Sequence, residues 1–376
     1  MVVFGTRPEA IKMAPVVDIL RSDPSEFVVS VCVTAQHREM LDQVLNLFEL
    51  TPDLDLDLMK KGQSLTHLTS LVMIKIKDAI ELVKPNLILV HGDTTTSMAT
   101  ALVAFYSGIE VAHVEAGLRT HNLYSPFPEE LNRQIVSKLA KWHFAPTINS
   151  KNNLISEGVV PDCICVTGNT VIDALHYILE RIKRSSDRLS SIQKIFQKLL
   201  PFDIELGRFV LITGHRRENF GEGLKNICEA IKTLATENNS VKFVYPVHLN
   251  PNVKEIVNNS LKGLHNVYLI NPLDYEPFVY LMSKSYLVLT DSGGIQEEAP
   301  SLGKPVLLMR DVTERPEVIE AGTVKLVGSN KKKIVSGVSK LLRDDIYYQA
   351  LSKAHNPYGD GNACERIFEF LKKRSF

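Results

Sequence analysis

Ionisable side chains follow two successive apolar runs in the first half of the chain. Asp93 comes shortly after one run, Glu115 ends the next, and Glu129 begins a predicted helix further on. Lys12 and Arg133 supply positive charge in the same half. Carboxylates that are crowded beside cations and partly removed from water acquire different pKa values, so one can act as an acid while another acts as a base. The pattern predicts a proton-transfer site that contains all three carboxylates.

Ordinary structural roles are the alternatives for these carboxylates. Asp93 can cap a helix over Thr94–Ser107. Glu129 can form a helix-surface ion pair with Arg133, four residues later. Glu115 is harder to explain in this way, because a charge at the end of an apolar strand costs stability unless it has a partner or a function.

A glycine pair in the second half follows an apolar strand and opens a helix. Gly293 and Gly294 allow close approach to the backbone, whose free N–H groups and helix dipole favour an anion. The Ser292 hydroxyl can donate a hydrogen bond, and Glu298, one helical turn beyond Gly294, can accept hydrogen bonds from ribose. The segment predicts a binding site for the diphosphate group of a nucleotide. The alternative is an ordinary turn between a strand and a helix that binds no ligand.

Several common active-site motifs are missing from the sequence. No strand is followed by G-x-G-x-x-G, and neither G-x-x-x-x-G-K-[ST] nor G-x-S-x-G occurs. Dinucleotide redox chemistry, P-loop phosphoryl transfer and α/β-hydrolase chemistry therefore lose their usual support. The alternation of Asp and Leu over residues 53–57 predicts an extended segment with one solvent-exposed face and one buried face, and not a metal site. We expect neither a metal nor a redox cofactor.

Composition excludes further classes of protein. The 376 residues include 43 basic and 43 acidic side chains, so no long-range field favours nucleic acid or an anionic membrane. No apolar run approaches the ~20 residues of a membrane span. The five cysteines lack the paired spacing of a zinc site. We expect a cytoplasmic globular protein that binds neither nucleic acid nor membrane.

Short β-branched runs alternate with amphipathic stretches along the chain. This alternation is typical of α/β proteins with doubly wound parallel sheets, which bind ligands at the carboxyl ends of their strands. The predicted strands are Val28–Val33, Leu87–Val90, Val111–Val114, Phe209–Thr213, Lys242–Tyr245, Val267–Ile270, Tyr286–Thr290 and Pro305–Leu308. The predicted helices include Glu9–Arg21, Leu65–Val83, Leu224–Thr236 and Asn252–Leu261.

The length favours two domains, because one core seldom grows beyond about 250–300 residues. The alternation pauses near Gly168, and the pattern G-x-R-x-E follows a strand in each half, beginning at Gly5 and at Gly214. We expect residues 1–168 to form a Rossmann-like domain with the acid–base residues. Residues 169–361 are expected to form a second one that binds the nucleotide, and residues 362–376 a terminal helix.

Short strings spread from residue 4 to residue 361 carry a resemblance that none of them carries alone. They are 4–12 (FGTRPEAIK), 35–38 (AQHR), 91–95 (HGDTT), 113–119 (HVEAGLR), 128–130 (PEE), 168–170 (GNT), 214–218 (GHRRE), 291–298 (DSGGIQEE), 313–317 (TERPE) and 356–361 (NPYGDG). Together they resemble the non-hydrolysing UDP-N-acetylglucosamine 2-epimerases, particularly the enterobacterial members. The resemblance implies two Rossmann-like domains of the GT-B type with the active site in the cleft between them. It also implies a homodimer and a last helix that packs back on the first domain.

The reaction of that family accounts for these residue types. The C2 proton of N-acetylglucosamine is not next to a carbonyl, so the family is thought to eliminate UDP across C1–C2 and add it back with the proton on the opposite face. No cofactor is required. The resemblance implies catalytic roles for Asp93, Glu115, Glu129, Lys12, Arg133 and His215. It implies UDP or substrate binding by Arg7, Lys12, Asp93, Glu115, His215, Phe278, Ser292, Gly293, Gly294, Glu298 and Arg315.

The resemblance also implies regulation and a pathway. Some members bind a second UDP-GlcNAc as an activator, and the corresponding residues here are Gln36, Glu129, Arg216 and His248. The enterobacterial likeness implies that ManNAc is supplied to a surface polysaccharide such as enterobacterial common antigen. A GT-B glycosyltransferase, a hydrolysing epimerase that releases free ManNAc and UDP, and a non-catalytic sugar-nucleotide sensor are the alternative functions.

Overall fold

A computed structural model describes residues 1–35, 38–58, 62–214, 216–313, 315–374 and 376. They divide into two compact units, one formed by Met1–His176 with Tyr358–Phe376 and the other by Tyr177–Pro357. Each unit has its own parallel sheet flanked by helices, which confirms the predicted α/β class. Within these residues, no helix combines the length and apolarity needed to cross a membrane.

The first unit is built on short parallel strands that alternate with helices. Its strands are β1 (Val2–Phe4), β2 (Val31–Val33), β3 (Leu54–Asp55), β4 (Leu87–His91), β5 (Glu110–Val114), β6 (Trp142–Ala145) and β7 (Ile164–Val166). Its helices are α1 (Arg7–Arg21), α2 (Arg38–Leu47), α3 (Leu65–Val83), α4 (Thr95–Tyr106), α5 (Glu129–Leu139), α6 (Ile148–Ser156) and the start of α7 (Thr170–Arg184). In the described residues the strand order is β3-β2-β1-β4-β5-β6-β7, so β1, β4 and β5 are central.

The central strands are apolar because helices cover both faces of the sheet. All five residues of β4 are buried, and β5 is buried over its last four. Helices α3 and α4 pack closely together, and buried side chains from both join a core that also contains Ile88 and Val111. This packing fixes the carboxyl ends of β4 and β5 beside each other, where ligands of such sheets bind.

The second unit repeats this architecture. Its strands are β8 (Phe209–Thr213), β9 (Lys242–Pro246), β10 (Val267–Ile270), β11 (Leu287–Thr290), β12 (Val306–Leu308) and β13 (Val324–Leu326). Its helices, after the end of α7, are α8 (Ser186–Leu199), α9 (Glu222–Glu237), α10 (Pro251–Leu261), α11 (Tyr275–Lys284), α12 (Ile295–Ser301), α13 (Pro316–Glu320), α14 (Lys331–Arg343) and α15 (Asp345–Ser352). The strand order over the described residues is β10-β9-β8-β11-β12-β13. The final helix, α16 (Ala363–Lys372), packs on α1 and β7 of the first unit.

Most predicted elements agree with the observed ones to within two residues, and one strand differs more. The strand predicted over Val28–Val33 is observed only over Val31–Val33, because Val28 is 94% exposed and lies outside the sheet. The alternating segment 53–57 contains β3, which confirms the interpretation as an extended segment.

Candidate active site

Glu115 directly follows β5 and has a left-handed backbone, with φ +64°. That conformation is unfavourable for a residue with a side chain and persists where surrounding contacts hold it. The Glu115 carboxylate contacts the Lys12 ammonium and accepts a hydrogen bond from Asn169 (Nδ2 to Oε2, 2.7 Å). It also lies 3.8 Å from Nε2 of His91. The charge at this strand end therefore has the partners that its position requires.

Asp93 occupies the turn after β4 and is held by α5. Its carboxylate contacts the guanidinium of Arg133, and its backbone carbonyl accepts a hydrogen bond from Asn132 Nδ2 at 2.9 Å. The side-chain oxygen of Thr94, not that of Asp93, caps α4 by accepting from the Ser97 N–H. The alternative in which Asp93 is a helix cap is therefore wrong.

Glu129 begins α5 but does not pair with Arg133. Arg133 instead contacts Asp93 and lies 3.4 Å from the Glu130 carboxylate, so the alternative of a Glu129–Arg133 surface pair is wrong. One carboxylate oxygen of Glu129, Oε2, is buried and has no hydrogen-bond partner among the described residues. Buried polar atoms usually have partners, so the contacts of the described residues do not account for this oxygen.

Glu9, in the first turn of α1, is a buried carboxylate that links two strand ends. Its Oε2 accepts hydrogen bonds from the backbone N–H groups of Gly5 (3.0 Å) and Thr6 (2.8 Å). Its Oε1 accepts from the hydroxyls of Thr94 (2.6 Å) and Ser97 (3.2 Å). Burial raises the pKa of Glu9, against the lowering effect of these hydrogen bonds. Glu9 thereby ties the turn after β1 to the turn that carries Asp93.

Buried histidines lie behind the carboxylates. Burial lowers the pKa of His91 to about 4, of His113 to about 3 and of His143 to about 4, so all three are neutral near pH 7. Nε2 of His113 lies 2.7 Å from the Gly92 carbonyl oxygen, so this nitrogen carries the proton and donates it. His113 therefore supports the turn between His91 and Asp93.

The turn between β11 and α12 in the second unit contains Gly293 and Gly294. A Cβ on Gly293 would lie 2.9 Å from Nη1 of Arg315 and 3.3 Å from Nη2 of Arg216, so two guanidinium groups approach this turn. Arg315 is oriented by an ion pair with the fully buried Glu297. Two cations beside a glycine turn at a helix N-terminus make a favourable environment for an anion such as a diphosphate.

The other residues predicted to bind a nucleotide in this unit lie on neighbouring elements. The Ser292 backbone N–H donates to Thr290 Oγ1 at 2.9 Å, which shapes the start of the glycine turn. Oε1 of Glu298 accepts a hydrogen bond from the Tyr275 hydroxyl at 2.7 Å. Phe278 is half-buried and lies three residues beyond Tyr275 on α11. The Tyr275–Glu298 hydrogen bond thus connects α11, which carries Phe278, to α12.

Four predicted residues remain. Arg7 is half-buried at the first position of α1. His248 is exposed, and its Nδ1 accepts a hydrogen bond from the Asn250 N–H at 3.1 Å. His215 and Gln36 lie outside the described residues. Roles for these residues stay predictions.

Comparison of the sequence with protein families identifies the group to which the chain belongs. Residues 20–372 match the family model for UDP-N-acetylglucosamine 2-epimerase. The chain belongs to the UDP-N-acetylglucosamine 2-epimerase family. It is 57% identical over 367 residues to a probable UDP-N-acetylglucosamine 2-epimerase of Ralstonia solanacearum, which covers 98% of this chain and 96% of the relative. It is 56% identical over 372 residues to the UDP-N-acetylglucosamine 2-epimerase of Escherichia coli K12, with 99% and 98% covered.

Solved structures of UDP-N-acetylglucosamine 2-epimerases share the fold. The crystal structure of the Neisseria meningitidis enzyme bound to UDP-GlcNAc is 53% identical, covers 99% of both chains and gives a TM-score of 0.90. The Methanocaldococcus jannaschii enzyme in complex with UDP-GlcNAc and UDP is 32% identical, covers 99% of both chains and gives a TM-score of 0.82. These comparisons confirm the family predicted from the short strings and its GT-B-like fold.

Two polar groups at the site of this epimerase-family chain were not predicted from the sequence. Glu9 lies three residues after Thr6, and this spacing is the capping-box pattern that could have identified it as a residue that organises a helix start. Asn169 shortly follows β7, a strand that was not predicted. Without that strand, its position at the same edge of the sheet as Glu115 could not be inferred.

Proposed function

We propose that the chain interconverts UDP-N-acetylglucosamine and UDP-N-acetylmannosamine by eliminating UDP and adding it back. The observation that carries the proposal is the pair of charge-paired carboxylates at adjacent strand ends, Asp93 with Arg133 and Glu115 with Lys12. The N. meningitidis relative bound to UDP-GlcNAc supports the choice of substrate.

The proposed elimination needs a base that removes a proton and a site that binds the leaving group, UDP. It involves no redox step. A carboxylate takes the C2 proton, the C–H electron pair forms the C1=C2 bond of 2-acetamidoglucal, and the C1–O bond breaks with its electron pair leaving on UDP. In the reverse addition, a β-phosphate oxygen of UDP attacks C1 and an acid delivers a proton to the opposite face of C2. C2 is thus inverted with no net gain or loss of atoms.

Each carboxylate has a place in this scheme. Asp93, Glu115 and Glu129 are proposed as the acid–base set, without assigning which is the acid and which the base. Lys12 and Arg133, which contact Glu115 and Asp93, are proposed to orient these carboxylates and to offset charge on the departing diphosphate. His215 is proposed, like Lys12 and Arg133, to neutralise the leaving diphosphate or to orient the carboxylates.

The second unit is proposed to hold UDP. The glycine turn, with the Ser292 hydroxyl and Arg315, is suited to the diphosphate. Glu298 is proposed to accept hydrogen bonds from ribose hydroxyls and Phe278 to contact uracil. Arg7, at the N-terminus of α1 in the first unit, is proposed as a further phosphate contact.

One incubation separates the proposed reaction from its alternatives. The purified chain is mixed with UDP-GlcNAc alone and the products are followed by proton NMR. The proposed reaction gives UDP-ManNAc without any acceptor and without free ManNAc. A hydrolysing epimerase releases free ManNAc and UDP, a glycosyltransferase leaves UDP-GlcNAc unchanged until an acceptor is added, and a sensor yields no product.

The assembly, regulation and pathway implied by the resemblance belong to the same proposal. If the chain forms the homodimer, light scattering should give about twice the mass of one chain.

Activation by a second UDP-GlcNAc through Gln36, Glu129, Arg216 and His248 predicts a sigmoidal rate curve and a slow reverse reaction from UDP-ManNAc alone. Hyperbolic kinetics with a full-speed reverse reaction would rule activation out. Supply of ManNAc to a surface polysaccharide predicts loss of that polymer when the gene is deleted.

A further inference from the structure

Asn169 is a buried residue that joins three parts of the first unit. Its side-chain Nδ2 donates to Glu115 Oε2 at 2.7 Å, and its side-chain Oδ1 accepts from the Val171 N–H at 3.1 Å. Its backbone N–H donates to the Tyr358 carbonyl at 2.7 Å. The residue is only 2% exposed.

The oxygen and the NH₂ group of the Asn169 side-chain amide form hydrogen bonds with different partners. The oxygen satisfies a free N–H in the first turn of α7, which is the hydrogen bond of a helix cap. The NH₂ group serves the Glu115 carboxylate, which can only accept. These contacts fix the orientation of the amide, since reversing it would place an oxygen against a carboxylate oxygen. An aspartate could replace the cap, but when ionised it offers no donor to Glu115.

Glu115 needs a directional partner as well as a charged one. Lys12 supplies positive charge, but an ammonium on a flexible stem does not select one orientation of a carboxylate. The planar amide of Asn169, held at its oxygen by Val171 and at its backbone by Tyr358, is rigid and donates along a defined direction. Hydrogen bonds to an ionised group are also among the stronger ones in proteins.

We propose that Asn169 is a positioning residue for Glu115, with its amide N–H groups holding the carboxylate ionised and aimed for proton transfer. The proposal rests on the epimerase function proposed above. In this role Asn169 does not need to contact the substrate.

The substitution Asn169→Asp separates positioning from helix capping. It keeps the cap and removes the donor, but it buries a second carboxylate against Glu115, so we expect a lower midpoint of thermal unfolding near pH 8. UDP binding by calorimetry should be unchanged. The turnover rate should fall roughly 10- to 100-fold near pH 8, the size expected for losing a hydrogen bond to a charged group. Substrate KM should change far less than turnover. Wild-type turnover in this variant would show that Asn169 only caps α7 and would overturn the proposal.

The pH dependence of turnover provides a second test. If Asn169 only capped α7, the effect of the substitution on turnover would not depend on pH in this way. In Asn169→Asp two carboxylates face each other beside Lys12 and the neutral His91, so one shared proton recreates an O–H donor. The turnover of the variant, relative to the unchanged chain, should therefore rise as pH falls from 8 to 6. A constant ratio over this range would contradict the proposal.

Asn169→Ser tests the same idea without adding charge. Serine caps helices well but its hydroxyl is too short to reach Glu115, so stability should be retained and turnover should fall as for Asn169→Asp. Full turnover of Asn169→Ser would overturn the proposal, whether or not the aspartate variant folds.

A measurement on the carboxyl group itself does not depend on the reaction. With ¹³C-labelled glutamate, and with Glu115→Gln to assign the signal, the Glu115 carboxyl carbon should titrate at higher pH in Asn169→Ser than in the unchanged chain. Equal titration curves would refute the inference. If the unchanged chain makes no UDP-ManNAc yet this shift is observed, the proposed function fails and the positioning of Glu115 stands.

Discussion

The Lys12 ammonium contacts the Glu115 carboxylate, although 103 positions separate the two residues in the chain. Lys12 lies in the second turn of the helix that follows β1, and Glu115 directly follows β5. Strand β4, which leads into Asp93, lies between β1 and β5 in the sheet. Sheet order therefore brings a cation and two carboxylates to one edge of the first unit.

Removing the Glu115 charge should abolish most activity. We expect Glu115→Gln to lower turnover by roughly 10²- to 10⁴-fold, because proton transfer by a positioned side chain contributes that much. The assay is conversion of UDP-GlcNAc to UDP-ManNAc. Glu81→Gln, at an exposed carboxylate of α3, is the matched control and should keep the normal rate. If Asp93→Asn, Glu115→Gln and Glu129→Gln all fold and all retain near-normal rates, the acid–base assignment is wrong.

Asp93 and Arg133 should act as one unit. We expect Asp93→Asn and Arg133→Met each to reduce turnover strongly, and the double variant to lose less than the product of the two factors, because contacting residues are not additive. The exposed pair Lys141–Glu110 provides the control, and Lys141→Met should leave the rate unchanged. Independent, multiplicative effects at Asp93 and Arg133 would contradict a shared role.

Protonation of His113 should destabilise the fold in acid. Burial holds the pKa of His113 at about 3, against 6.5 as its ordinary value, so the unfolded chain binds this proton more readily. The free energy of unfolding should therefore fall as pH decreases from about 6.5 towards 3. His113→Gln, which does not titrate, should make this dependence in urea unfolding less steep, with the remainder due to His91 and His143, while the exposed His248→Gln should keep it. Equal slopes for His113→Gln and the unchanged chain would contradict this account.

A methyl group on Gly293 should impair the anion site without unfolding the chain. The added Cβ would meet Arg315 Nη1 at 2.9 Å and must displace that guanidinium. We expect Gly293→Ala to weaken UDP binding at least tenfold in calorimetry while the thermal midpoint stays close to that of the unchanged chain. Gly223→Ala, whose nearest contact is Ser329 at 3.4 Å, is the matched control. Unchanged UDP affinity in Gly293→Ala would contradict a diphosphate site there.

The fold was largely predictable because apolar and polar residues recur along the chain with the regular spacing of strands and helices. Strands such as Phe209–Thr213 and helices such as Leu65–Val83 are bounded by residues that end apolar runs, and their observed limits equal the predicted ones. Short edge strands such as β7 and β13 were missed because three residues give too little pattern.

The site was predictable in its residue types but not in its pairings. The charge of Glu115 after an apolar strand correctly indicated a need for partners, yet which residues supply them depends on sheet order. The repeated G-x-R-x-E pattern also misleads in detail. Glu9 is buried and bonds two strand ends, whereas Glu218 is half-exposed and pairs with Arg310. Equal spacing in sequence gave different surroundings because the two turns face different neighbours.

The most direct test of the whole account is conversion of UDP-GlcNAc in heavy water, with the product examined by proton NMR and mass spectrometry. Inversion through elimination and re-addition predicts deuterium at C2 of the UDP-ManNAc formed, since the proton that returns there comes from an acid in exchange with solvent. UDP-ManNAc that forms at the normal rate but keeps its original hydrogen at C2 would contradict the account.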